Sequence, residues 1–132
     1  MSGELILRAA MLAALRGDAA LSEAVNSIDD GDPVKASAPW LRLGESNMTG
    51  WGARGVDGMT VRLSVLLAVR GDEEAATSEI LERVDVVLGG MAPGLDAGWR
   101  ITSLRRERAR VARRQNEWRA SADYAVRMAR LV

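Results

Sequence analysis

The sequence predicts a single α+β domain in which a four-stranded, mainly antiparallel sheet is packed by an N-terminal helix and a central helix. Three observations carry this. Apolar residues recur at helical spacing over 4–16, they alternate at strand spacing over 59–69 and 118–128, and a second helical stretch lies between those strands. A chain of 132 residues suits one core rather than two.

Over 4–16, Leu5, Leu7, Ala9, Met11, Leu12 and Leu15 form a wide apolar face, with Arg8 and Arg16 outside it. Gly17 stops this helix, and Asp18 caps a short second one through Leu21 and Val25. Residues 27–39 read as a polar connector, because Asp29, Asp30, Gly31, Asp32 and Pro33 are turn chemistry. An extended segment over 40–43 puts Leu41 and Leu43 on one face and Trp40 and Arg42 on the other. Five glycines (44, 50, 52, 55 and 58) around Met48 and Trp51 then predict a long flexible loop over 44–58.

The strand over 59–69 alternates Met59, Val61, Leu63, Val65, Leu67 and Val69 with Thr60, Arg62 and Ser64. Leu66 and Ala68 interrupt the polar side, so its second half is expected to be covered on both faces. Arg70-Gly71 turns the chain, and Asp72 caps the central helix with Glu73 and Glu74 in its first turn. Its buried stripe is Ala76, Ile80, Val84 and Val87 or Leu88, and Gly89-Gly90 ends it. Past a turn over 91–98, Trp99, Ile101 and Ser103 alternate with Arg100, Thr102 and Leu104. The last strand sets Trp118, Ala120, Ala122, Tyr124, Val126 and Met128 against Arg119, Ser121, Asp123 and Arg127. Period two outranks the helical propensity of its alanines and arginines, because period decides which face is buried.

Charge is divided along the chain. Residues 99–132 carry ten arginines against three acids, and residues 1–98 carry fifteen acids against eight basic residues. A net charge of zero thus hides an acidic body and a basic end, which suits docking onto copies of itself or onto other charged proteins. Cysteine and histidine are both absent, removing thiolate metal sites, the usual nucleophile–base pairs and the commonest transition-metal ligands. No paired acid–base set stands out, so a carboxylate enzyme ranks last and no cofactor or metal is expected. No apolar run approaches the roughly twenty residues of a membrane span. The apolar stretch 4–15 starts with an acid and has no basic leader, unlike a signal peptide.

The run 105–114 is the sharpest local feature. As a continued strand it projects Arg106, Arg108 and Arg110 from one face; as a helix it is an arginine-rich nucleic-acid element; otherwise it is a solvated ribbon end whose arginines meet nearby acids. No aromatic residue interrupts it, which weakens a single-strand-binding reading. Asp29, Asp30 and Asp32 lack the following glutamate of a calcium loop and read as a turn. Gly50, Gly52 and Gly55 match a dinucleotide fingerprint in letters but not at a strand-to-helix junction. Trp51 has little core to join in a glycine-rich loop and is a candidate interface anchor.

The order of these pieces is recognisable. A Leu12-to-Leu15 step leads into Arg16-Gly17-Asp18-Ala19-Ala20-Leu21, and an acidic turn and Ala38-Pro39-Trp40-Leu41-Arg42-Leu43-Gly44 follow. The hydrophobic strand, a helix ending in Val87-Leu88-Gly89 and a basic two-stranded end complete it. Over 4–131 this layout resembles the small tail-completion proteins of long-tailed bacteriophages, also called tail terminators or head–tail joining proteins, and their relatives in gene transfer agents. The resemblance implies a four-stranded antiparallel sheet packed by helices and a hexameric ring that caps the tail tube and joins it to the head connector. Implied partners are further copies of the chain, the tail tube protein, the head–tail connector or stopper, and DNA passing through the lumen, with no membrane. The implied place is a virion or phage-like particle, and the host cytoplasm during assembly. In that setting Arg105, Arg106, Arg108, Arg110, Arg113 and Arg114 are expected to contact a subunit or the lumen. Met48, Trp51 and Arg54 form a partner-contact loop, and Glu73, Glu74, Glu79 and Glu82 form an acidic counter-patch. The alternative is a small nucleic-acid-binding protein using 105–114.

Overall fold

Alternation at period two does its work across the sheet. Antiparallel pairing sets Val61, Leu63, Val65 and Leu67 beside Val126, Tyr124, Ala122 and Ala120, so both apolar rows share one buried face. The computed structural model describes residues 2–31, 37–71 and 74–132. In chain order the elements are α1 (Gly3–Arg16), α2 (Ala19–Ala24), β1 (Ser27–Asp30), β2 (Trp40–Ala53), β3 (Val56–Arg70), α3 (Glu74–Gly89), β4 (Arg100–Arg114) and β5 (Glu117–Leu131). One sheet orders the strands β1-β2-β3-β5-β4, parallel only between β1 and β2. The α+β class stands, with five strands where four were expected.

The helices seal one face. Leu7, Met11 and Leu15 of α1, Leu21 of α2, and Ile80, Val84 and Leu88 of α3 join the β3 and β5 rows in one apolar core. Ser2 caps α1 by accepting the Leu5 N–H. Asp18 caps α2 through the Leu21 N–H and also accepts Arg83 Nε at 2.9 Å, tying α2 to α3. Asp72 and Glu73, expected in the first turn of α3, lie outside the described residues. Tyr124 is fully buried and donates its hydroxyl to Asp85 of α3 at 3.0 Å. Burial, reinforced by Asp85, pushes its phenol well above the ordinary tyrosine range.

Two parts of the expected connectivity are corrected. Residues 27–30, expected as a connector, form β1, because α1 supplies partners for its acids. Arg8 is buried rather than outside the apolar face. Its guanidinium pairs with Asp30 and donates Nη1 to the Gly44 carbonyl at 2.7 Å and to Ser46 Oγ at 3.3 Å. Arg16 donates Nε to the Ile28 carbonyl at 2.7 Å and lies near Asp29. Residues 44–58, expected as a flexible loop, are instead a β-ribbon: β2 runs on to Ala53, turns at Arg54-Gly55 and returns as β3. The glycines serve that ribbon. Gly55 holds a φ of 80°, and a Cβ on Gly58 would collide with the Trp51 ring.

Strands β3, β4 and β5 each hold 15 residues, about 50 Å of extended chain. The 14 residues of α1 and 16 of α3 span only about 21 and 24 Å. The sheet therefore outruns its helical cover.

Candidate functional site

The other face of the sheet is bare: among the described residues its only apolar cluster is Ala38, Trp40 and Ala68, with Leu66 against it, and no helix residue joins. Which side chains it shows follows from strand parity. Arg62, Ser64 and Leu66 alternate with the buried row of β3, and they pair with Ala125, Asp123 and Ser121 of β5. The next row, on β4, is Arg105, Arg108 and Arg110. On the β2 side, Asn47 pairs with Arg62, Arg42 with Leu66 and Trp40 with Ala68.

A bulge decides the fate of the arginine run. Register shifts between Arg106 and Arg108, leaving Glu107 as the extra residue. Arg106 consequently pairs with Tyr124 on the helix-covered face, while Arg108 and Arg110 pair with Asp123 and Ser121 on the bare one. The expected single-faced ladder of Arg106, Arg108 and Arg110 is thus corrected. Arg106 reaches Glu82 of α3 at 3.1 Å, so this acid of the expected counter-patch is engaged within its own chain. A second shift, between Ile101 and Ser103, puts Ile101 and Leu104 on one face, where simple alternation had separated them. The helical reading of 105–114 falls, since the run is continuous strand.

On the bare face Asp123 is the electrostatic centre. It accepts Ser64 Oγ at 2.6 Å and Arg108 Nε at 3.1 Å, and these hold its carboxyl below the usual range, the hydroxyl first and Arg108 next. Glu107 lies 3.2 Å from Arg62 and 3.6 Å from Arg105. Arg119 pairs with Glu117 at 2.6 Å and also stacks on Trp40, 5.2 Å from the ring centroid, with Arg42 at 4.7 Å. An open groove of about 650 Å³ is lined among others by Trp40, Arg42, Leu66, Arg110, Arg114 and Arg119. Arg110 and Arg114 have no ion-pair partner among the described residues.

The other expected contact residues scatter. Arg113 lies on the helix side, donates to the Gln115 carbonyl and stacks on Trp118 at 5.5 Å. Met48 also points to the helix side, beyond the helices, and is 53% exposed. Arg54 is at the ribbon turn. Trp51 is on the bare face, laid over Gly58 with Arg127 stacked 4.3 Å from its centroid. Its indole N–H is buried without a hydrogen-bond partner among the described residues. Glu74 and Glu79 are exposed on α3, and Glu73 lies outside the described residues. Sequence reasoning did not count Arg42, Arg62, Arg119 and Arg127 as part of the site. Laying the polar faces of 40–43, 59–69 and 118–128 side by side exposes them, since each occupies the polar alternate of its strand. Among the described residues no three acids converge as a metal site, and no helix is long and apolar enough to cross a membrane.

A family model described as tail completion protein gp17 matches residues 9–129. The fold is similar to that of a chain in a solved structure titled as the virion of a native gene transfer agent particle. That likeness has a TM-score of 0.83 at 22% identity and covers 96% of each chain. No curated protein matches the sequence.

Proposed function

The chain belongs to the tail completion protein gp17 family, and from that premise we propose that it is a structural component of a phage-like particle, a ring subunit at the end of the tail tube. The ring, hexameric by the resemblance, closes the tube and meets the head connector. No catalytic step is assigned to it. The reading is supported by the solved virion of a gene transfer agent, in which a chain of the same fold occurs.

The observation that carries it is the two-sided build. One face of the sheet is sealed by helices with Glu74 and Glu79 exposed, and the other is bare and shows Arg105, Arg108, Arg110 and Arg114. A cyclic homo-oligomer uses heterologous contacts, so each subunit must present two different, complementary patches. Light scattering of the protein alone, with tube protein, and in assembled particles tests this. A ring mass in at least one condition is expected, and a monomer in all three overturns the reading. Arg110 and Arg114, without an ion-pair partner among the described residues on the bare face, favour a second role for that face against DNA phosphates in the lumen. A free-standing nucleic-acid binder is disfavoured, because Glu82, Glu107 and Asp123 already occupy arginines of the run.

Trp51 is the expected anchor for the tube. Trp51→Ala removes a partly covered ring and one cation–π stack, costing about 1–2 kcal/mol of stability. Attachment to tube protein should fall more than tenfold while circular dichroism stays that of a folded chain. Loss of the folded spectrum would make Trp51 a core residue.

A further inference from the structure

The sheet ends in two unlike edges. On one side, β4 is bridged at Arg100 and Ile101 by residues 93–94, and past that point it has only β5 beside it among the described residues. On the other, β1 covers β2 only as far as the Asp30–Leu43 pair, so among the described residues 46–53 of β2 have β3 on one flank and no strand on the other. Unpaired N–H and C=O groups along such edges are templates for another strand.

Direction, length and charge select the occupant. The pairs β2–β3, β3–β5 and β5–β4 are all antiparallel, so β4 runs opposite to β2. Copies related by rotation about a ring axis keep the same strand direction relative to that axis. Since 46–51 lie level with 100–106 within one copy, strands inclined to the axis are what slide a neighbour's 108–114 alongside them. A neighbour's β4 therefore arrives antiparallel to β2, the better-bonded arrangement. Beyond the Glu107 bulge, 108–114 is an uninterrupted ladder of nearly the length left vacant beside 46–53, and β1 blocks the row where that vacancy ends. Arg108, Arg110, Arg113 and Arg114 make this stretch basic, whereas Glu45, exposed and without an ion-pair partner among the described residues, stands at the near end of the vacant edge.

We propose that neighbouring copies join by strand addition: residues 108–114 of one copy pair antiparallel with 46–53 of the next, so that the sheet continues across the subunit boundary. This rests on the ring reading and gives its contact. One edge is offered and the other received by every copy, which is what head-to-tail closure requires.

Cysteine cross-linking tests it cleanly, since the chain has no cysteine of its own. Directly opposed residues of an antiparallel pair come within disulfide reach only on the same face. Asn47, Thr49, Trp51 and Ala53 share the bare face with Ala112 and sample every same-face register over the vacancy. Each is changed to Cys in turn together with Ala112→Cys, and the assembled protein is oxidised. At least one pair should give a reducible ladder of covalent multimers on a denaturing gel. Thr49→Cys with Ala109→Cys, on opposite faces, should give none. Light scattering of the same samples separates the failures. Oligomers with no cross-link from any of the four pairs overturn strand addition and leave the ring standing. A monomer in every condition, assembled particles included, overturns both.

Discussion

Arg8→Met is expected to lower folding stability by about 3 kcal/mol, the low end for breaking a buried ion pair, because Asp30 stays 39% exposed on its side chain. The guanidinium serves three elements at once. It neutralises Asp30 of β1, satisfies the Gly44 carbonyl at the β2 bulge, and lies 3.9 Å from Glu4 in its own helix. Methionine fills much of the volume but leaves a partly buried carboxylate and a carbonyl without their donor. For a chain of this size the loss amounts to roughly 10 °C in Tm. Asp30→Asn, which keeps Arg8 and its bond to Gly44, should cost less than half as much. Urea unfolding of both variants measures this. A loss below about 1 kcal/mol for Arg8→Met would show that water replaces the arginine at no great expense.

Arg110→Glu is expected to reduce assembly at least a hundredfold while leaving the subunit folded. Arg110 is exposed and makes no ion pair among the described residues, and its attraction for Asp123 ranks behind Ser64 and Arg108, so reversal costs the fold little, whereas like charges brought together in a contact cost several kcal/mol. Analytical ultracentrifugation with tube protein reads the loss. An intact ring with altered DNA retention would assign Arg110 to the lumen instead. Arg108→Glu is the contrasting variant, because Arg108 is engaged with Asp123. The carboxyl of Asp123 is held below its ordinary value by Ser64 and then by Arg108, so its contribution to stability is full above about pH 4 and is lost as pH falls through the lowered value. Arg108→Glu should therefore destabilise by about 1 kcal/mol at neutral pH. The gap from the unmodified protein should close as the medium is acidified below pH 4. A gap that does not depend on pH would show that Asp123 draws nothing from Arg108.

Local pattern revealed as much of the fold as local pattern controls. The inward row Trp118, Ala120, Ala122, Tyr124, Val126 and Met128 was legible because a strand's faces follow from counting by two, and the pairing with β3 confirms each position. Residues 27–30 were not legible: two adjacent aspartates spell a turn until Arg8 and Arg16 arrive from another element. The glycines of 44–58 likewise concealed a ribbon, since what holds it extended is a ladder to β3 and the seat Gly58 gives to Trp51. In the site, the basic character of the C-terminal third was plain from composition. The division of the run between two faces was not, because an extra residue at Glu107 changes parity only relative to a partner strand that no local pattern contains.

The sheet order also sets how the chain must come together in time. β2 and β3 are hairpin neighbours, and so are β4 and β5, but the seam joining the two hairpins pairs Arg70 with Glu117 and Val56 with Leu131, ends far apart in sequence. Such distant pairings close slowly, on the scale of milliseconds to seconds, because loop-closure entropy is lost before any contact is gained. Until the seam closes, the apolar row of β3 stands next to an unpaired edge, an arrangement prone to aggregation. The late step is therefore the one that hides the stickiest surface, and conditions that slow it should be felt in yield before they are felt in the finished subunit.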